Sequence, residues 1–299
     1  MSKLSLTIVL SPYEHALDLL EGRIAAEGVD LNWLRVPPTV TGDSFTQHRA
    51  FDMAEIPLAD YVKRLAKGDR TVVAIPIFLS RQFMPGAVWT RIAGPVQAIG
   101  DLRNPKISCQ ADDETTTVYT RHWLEKTIGL DHEHSWPLAD TASLHAKLAT
   151  GEIDVGLSLK RPPSGKGEEI RRVVEDVSEA ERAYYEATRV FPILRVLCIQ
   201  RDLIEQHRWL AASLFEAFDR AKRNSLGRLI GAGMSRYPLP WLNAYVTQAR
   251  ANFGEDFWPY GVEMNRPTLA AFLQTIREPA IGSTPFAVED LFDESTRDS

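Results

Sequence analysis

TVVAIPIFLSRQFMPGAVWTR, residues 71–91, is the stretch on which the fold reading turns. Val72-Val73-Ala74-Ile75 is a continuous apolar run rich in β-branched residues, as expected of a strand buried on both faces. Pro76 bends it, and Phe78-Leu79-Ser80-Arg81-Gln82-Phe83 follows. A second apolar run, Ala87-Val88-Trp89, then leads away through Arg91 to Gly94-Pro95. Strand, charged turn, strand and exit predict one wall of a ligand cleft, from which the chain departs for another lobe. Arg81 stands near two aromatics at the strand's end, where a charge is costly unless it meets an anion.

Upstream, LSLTIVL (4–10) reads as a first strand. Ser11-Pro12 opens a helix stopped near Gly22, and a short helix runs to Gly28. VDLNWLRV (29–36) reads as a second strand ended by Pro37-Pro38. Asp43 or Ser44 caps a short helix, and FDMAEIPLADYVKRLAKGD (51–69) carries a helical stripe of Ile56, Leu58, Tyr61, Val62 and Leu65. The order β-α-β-α-β predicts a mainly parallel sheet. Downstream, 101–160 repeats the scheme: DLRNPKISCQ ends in a strand, VYTRHWLEKTIGL is a helix, HEHSWPL a short strand, TASLHAKLATG a capped helix and EIDVGLSL a strand. RPPSGKGEE (161–169) reads as a loop and SEAERAYYEATR as a helix.

VFPILRVLCIQR (190–201) is a long apolar strand left without a partner in the second lobe, so it is expected to cross back to the first. The remaining helices are expected to wrap that lobe. The expected lobes are therefore 1–92 with 195–299, and 93–194. Two α/β lobes joined by two crossovers, with a ligand cleft between them, is the periplasmic-binding-protein type II architecture.

The chain has 299 residues, 44% hydrophobic and 25% charged, ordinary for a globular protein. A net charge of −6, with no basic stripe, gives no footprint for nucleic acid. No stretch approaches a membrane span. MSKLSLTIVLSPYEH is too short in its apolar run for a secretory signal, so the chain reads as cytoplasmic. The two cysteines, Cys109 and Cys198, sit in apolar runs and read as small buried hydrophobes. No cofactor motif is present: SGKGEE lacks the spacing of a phosphate loop, and no G-x-S-x-G or H-E-x-x-H occurs. His132-Glu133-His134 would put both histidines on one strand face, but it reads as an exposed strand entrance, and no metal is expected.

Anion-handling candidates remain. Thr115, Thr116 and Thr117 begin a helix behind Asp112-Asp113-Glu114, where hydroxyls and open N–H groups suit a carboxylate or simply cap the helix. Arg195, inside FPILRVL, must find a partner or a ligand. Arg81 follows the same logic. Glu55, at an expected helix start, is a possible acid/base group or a helix-dipole stabiliser. Together these residues suit a small carboxylate ligand; the sequence sets no oligomeric state.

The stretches FDMAEIPLADYVKRLAKGD, VAIPIFLSRQF, GEIDVGLS, FPILRVLCIQRDLIEQHRWLAASLFEAFDRAK and EDFWPYGVEMNRPTLAAFL resemble the 4,5-dihydroxyphthalate decarboxylases. The most specific element is Trp258-Pro259-Tyr260-Gly261 with Asn265-Arg266. The resemblance implies a type II binding-protein fold without a signal peptide, no organic cofactor, and removal of a carboxyl group from a dihydroxylated aromatic diacid. It marks Ser80, Arg81, Phe83, Thr115 and Trp258 as ligand contacts.

The chain also departs from the family. Where the family typically reads Ser-Arg-x-Phe-Arg-His-Ser, this chain has Ser80-Arg81-Gln82-Phe83-Met84-Pro85-Gly86. Where it reads Phe-Pro-Ile-Met-His-Thr, this chain has Phe191-Pro192-Ile193-Leu194-Arg195-Val196. His15 stands where the family tends to carry Arg. Decarboxylation needs a proton donor and a group that stabilises charge on the ring. With both family histidines replaced, Glu55, Asp113 and His15 are the candidates for catalysis. The expectation is a cytoplasmic carboxy-lyase-like enzyme acting on a hydroxyaromatic or similar acid; the alternative is a non-catalytic solute-binding protein, with an Arg-clamped lyase or isomerase as a third possibility.

Overall fold

The computed structural model describes residues 3–36, 42, 44–102, 105–110, 114–130, 136–160, 170–231, 237–276 and 286–299. The chain forms two compact units. One comprises Met1–Ser80, Arg195–Arg266 and Ile281–Ser299, the other Arg81–Leu194 and Pro267–Ala280.

The first unit is built on β1 (Leu4–Val9), β2 (Val29–Leu34), β3 (Met53–Pro57), β4 (Val72–Ile75) and β10 (Arg195–Gln200). They lie in the order β2-β1-β3-β10-β4. β1 is parallel to β2 and β3, whereas β10 runs antiparallel between β3 and β4. The sheet is therefore mixed rather than mainly parallel. The returning strand enters it at the edge where β3 and β4 leave. β4 is buried throughout and β10 after its first residue, which explains their unbroken apolar sequences.

Helices α1 (Leu17–Leu20), α2 (Leu58–Ala66), α6 (Arg201–Gln206), α7 (Leu210–Ile230) and α8 (Leu242–Phe253) complete this unit. The helix expected over 51–69 is half strand: Met53–Pro57 is β3, and Leu58–Ala66 alone is helical. Pro57 sits at the junction with an extended ψ of 138°, so it ends the strand and fixes the helix entry. α2 buries Leu58, Ala59, Tyr61, Val62 and Leu65 on one face, each large side chain contributing about 1.5–3 kcal/mol. The Tyr61 hydroxyl donates to Leu291 O at 2.6 Å and accepts from Ala74 N at 3.1 Å, tying the helix to β4 and the C-terminal segment. The helix expected between Gly22 and Gly28 does not form; turns and bends fill that stretch.

The second unit holds β5 (Val88–Arg91), β6 (Ile107–Gln110), β7 (Leu138–Ala139), β8 (Val155–Leu157) and β9 (Ile170–Arg172), in the order β7-β6-β8-β5-β9. β6 is parallel to β7 and β8, and β5 antiparallel to β8 and β9. Its helices are α3 (Glu114–Ile128), α4 (Thr141–Thr150) and α5 (Val177–Thr188). Asp140 caps α4 through Ser143 N, and Gly151 ends it in the left-handed region at φ 81°.

The chain leaves the first unit at Ser80, ahead of the expected position 92, because Val88–Arg91 is paired into the second sheet. α9 (Arg266–Thr275), expected to wrap the first lobe, lies with the second unit from Pro267 onward. There Phe272 packs on Tyr119 with ring centroids 5.1 Å apart. β9 was not anticipated from the sequence. At three residues, with one exposed, it carries no periodic signal.

Candidate functional site

In the first unit, the C-terminal ends of the parallel strands and the start of β10 bring charged and aromatic groups together. Glu55 lies inside β3 and not at a helix start, which removes the dipole account of it. Its carboxyl is 5% exposed. The Tyr13 hydroxyl reaches Oε1 at 3.0 Å and Oε2 at 2.9 Å, and Ser11 N donates to Oε1 at 3.3 Å. Tyr13 and Ser11 stand there because the chain turns through Ser11-Pro12 directly after β1. Ser80, beyond β4, hydrogen-bonds the Tyr13 hydroxyl in turn.

Arg195 opens β10 opposite Pro57, two residues from Glu55 along β3. It is half-buried, and among the described residues its guanidinium makes no hydrogen bond or ion pair. Its charge nevertheless acts on both Tyr13 and Glu55. Burial pushes the Glu55 carboxyl above its ordinary value, and Arg195, Tyr13 and Ser11 offset only part of that. Burial and the neighbouring Glu55 likewise raise the Tyr13 phenol. Glu55 is thus disposed to hold a proton beside a cation that lacks a carboxylate partner, an arrangement suited to acid/base work or to anion capture.

Beside this group runs an aromatic series. The His15 ring lies 5.6 Å from Tyr13, 5.5 Å from Trp258 and 6.3 Å from Tyr260. Trp258 Nε1 donates to Phe78 O at 3.1 Å. Tyr260 is backed by Lys222, whose ammonium lies 4.7 Å from the ring centroid. Lys222 is fully buried, bonding Asp256 at 2.5 Å and Asp219 at 3.0 Å. Trp258 and Tyr260 of Trp-Pro-Tyr-Gly thus build a shelf for His15, with the buried Lys222 ammonium against the Tyr260 ring.

In the second unit, Arg81 is 7% exposed. Its Nη1 donates to Phe191 O at 3.0 Å, and its guanidinium lies 5.0 Å from the Phe191 ring centroid. Phe83 stacks on Phe191 at 4.7 Å and 16°. Residues 81–82 and 192–193 form a short antiparallel bridge, so the carbonyl and the aromatic face already accommodate Arg81's charge. Thr115, Thr116 and Thr117 are all buried at the start of α3. Gln110, ending β6, accepts from the Ser158 hydroxyl at 2.7 Å. Asp113 and His132-Glu133-His134 lie outside the described residues.

Of the sequence candidates, His15, Glu55, Ser80, Arg195 and Trp258 converge in the first unit, and Arg81, Phe83 and Thr115–Thr117 belong to the second. Tyr13 and Tyr260 were not singled out as site residues; their positions in Pro12-Tyr13 and Trp-Pro-Tyr-Gly were the available signal. Among the described residues, no group of three His, Cys, Asp or Glu side chains could hold a metal ion, and no helix is long and apolar enough to cross a membrane.

The two mixed sheets define the class: the chain has the two-lobed α/β periplasmic-binding-protein type II-like fold. It matches the aliphatic sulphonate binding protein SsuA from Escherichia coli with a TM-score of 0.56 at 10% identity, over 99% of each chain. A sulfonate-binding protein SsuA from Methylobacillus flagellatus matches with a TM-score of 0.57 at 13% identity, over 98% of this chain and 92% of that one. In sequence, the chain is a distant homologue of a 4,5-dihydroxyphthalate decarboxylase from Comamonas testosteroni. The two are 27% identical over 100% of this chain and 99% of the relative. A decarboxylase of the same name from Pseudomonas putida is 29% identical over 44% of this chain and 50% of the relative. No family model matches the chain. The cytoplasmic expectation is withdrawn, because the SsuA structures that share this fold are described as periplasmic binding proteins.

Proposed function

We propose that the protein captures a small organic carboxylate and holds it at Arg195, beside Tyr13, Glu55 and Ser80. The observation that carries this reading is Arg195, a half-buried guanidinium without a carboxylate partner among the described residues, next to a buried carboxyl. A guanidinium fork takes a carboxylate bidentately, and ligands on α/β sheets bind beyond the carboxyl ends of the strands. Glu55 then accepts or donates a hydrogen bond to a hydroxyl of the ligand, and the His15–Trp258 shelf offers a flat apolar face. The SsuA fold likeness supports solute binding as the role.

A second reading is a carboxy-lyase, favoured by two observations. One is the full-length likeness to a named decarboxylase. The other is Glu55, whose raised proton affinity suits a donor to the carbon that loses its carboxylate. In this reading Arg195 holds a second carboxylate or a phenolate. Thermal-shift screening against hydroxybenzoates, phthalates and aliphatic diacids, followed by product analysis, separates the two. A stabilising ligand returned unchanged supports capture, and released carbon dioxide supports the lyase. Unaltered ligand stabilisation in Arg195→Ala would remove Arg195 from the site and overturn both.

A further inference from the structure

The first unit has a second polar edge, where β10 ends and β4 begins. Five residue steps of strand, about 17 Å, separate it from the Arg195 end of β10. A pocket of about 960 Å3 opens there between α6, the start of β4 and the C-terminal segment. Arg70, Arg201, Arg208 and Arg297 line it. Three of them are held by main-chain carbonyls: Arg70 Nη1 donates to Leu65 O at 2.5 Å, Arg201 Nε to Arg70 O, and Arg297 Nε to Phe292 O at 3.2 Å. Arg208 makes no hydrogen bond among the described residues. None of the four forms an ion pair among those residues.

The carboxylates in the same lining are partly committed. Asp290 accepts the Ala287 N–H, and Asp293 the Ser295 N–H and hydroxyl. Glu205 and Glu294 are exposed. Tyr61, buried in the lining, reports on the arginines: burial raises its phenol, while Arg201 and Arg70 both pull it back. Two guanidinium groups therefore act on one buried hydroxyl. Carbonyls that fix one nitrogen of a guanidinium leave its other N–H donors to be satisfied by solvent or a ligand.

We propose that this pocket binds a small phosphate-bearing anion, a phosphomonoester or diphosphate, on the guanidinium groups of Arg70, Arg201, Arg208 and Arg297. Several guanidinium forks supply more donors than the two oxygens of a carboxylate can use. A phosphate offers three terminal oxygens and up to two charges. The volume leaves room for an organic group beyond the phosphate. The lining carboxylates hold down the net charge, so recognition rests on the placement of the forks and not on a long-range field.

The test is isothermal titration of the full chain with inorganic pyrophosphate at fixed ionic strength. One-site binding is expected, weakened about tenfold or more in Arg201→Ala and in Arg208→Ala, because each loses charge-assisted hydrogen bonds. Arg208 supports nothing else in the fold, so its variant reads the site even if Arg201→Ala misfolds. Arg195→Ala is expected to bind pyrophosphate as the wild type does. Absence of binding to the wild type, or binding lost in Arg195→Ala and kept in Arg208→Ala, overturns the proposal.

Discussion

Replacing Tyr13 with Phe removes one hydroxyl and leaves the aromatic packing against His15 in place. The hydroxyl reaches both oxygens of Glu55, at 3.0 and 2.9 Å, and Glu55 is 5% exposed. A hydrogen bond to an ionised, buried acceptor contributes about 1.5–3 kcal/mol, so Tyr13→Phe is expected to lose that much where Glu55 is charged. The loss depends on pH in a definite direction. Glu55's folded-state value lies above its ordinary 4.5, so its contribution is fully present below 4.5 and lost as pH rises through the folded value. Tyr13 favours the charged form, so the variant pushes that folded value higher still. The difference between variant and wild type should therefore be small at pH 4.5 and grow to its full size on the alkaline side of the Glu55 titration. Urea denaturation across a pH series measures it as a shift in midpoint at constant slope. A Glu55→Gln background should abolish the pH dependence and reduce the Tyr13→Phe cost to about 0.5–1.5 kcal/mol, the worth of a neutral hydrogen bond. A deficit equal at every pH, or unchanged in the Gln background, would refute the coupling.

Lys222→Met removes the buried ammonium from Asp256 and from the Tyr260 ring while Asp219 keeps Arg223, so a modest loss of about 1–2 kcal/mol is expected by urea denaturation, with weaker carboxylate binding as the Trp258–Tyr260 shelf loosens. Gly151→Ala puts a Cβ 2.8 Å from Arg91 Nη2 at a φ of 81°, and a fall in thermal midpoint checks the expected loss of more than about 1 kcal/mol. Burial raises the Asp18 carboxyl, but hydrogen bonds from Arg228 and Arg23 outweigh it and leave its folded value below 3.8. Its stabilising contribution is thus present above 3.8 and lost as pH falls through the folded value, so Asp18→Asn should lower stability at neutral pH and flatten the acid limb of unfolding.

The legible parts of the sequence were those with one dominant physical cause. Val72–Ile75 reads as a strand, and so does the run 190–201, of which Arg195–Gln200 is the strand formed, because burial of Val196–Ile199 leaves no polar position to break the apolar run. The crossing of 190–201 back to the first sheet followed from counting strands against partners. Glu55 was misplaced because Leu58, Tyr61, Val62 and Leu65 carry a true helical period that extrapolates backward through a short strand. The direction of β10 was not legible, since an apolar strand has the same pattern in either orientation.

By itself, then, the sequence determined that the chain folds as two α/β units joined by two crossovers, and which charged residues stand in apolar runs; the departure at Ser80, ahead of the expected position 92, was set by the pairing of Val88–Arg91 into the second sheet. Tertiary structure alone decided what those charges meet. Arg81 is met by Phe191, a residue distant in sequence, whereas Arg195 is left beside Glu55 and Tyr13 with no salt bridge among the described residues. The two arginines look alike locally because desolvation is a property of the surrounding run. Their difference is one of partner, and a partner is set by strand register between segments far apart in the chain.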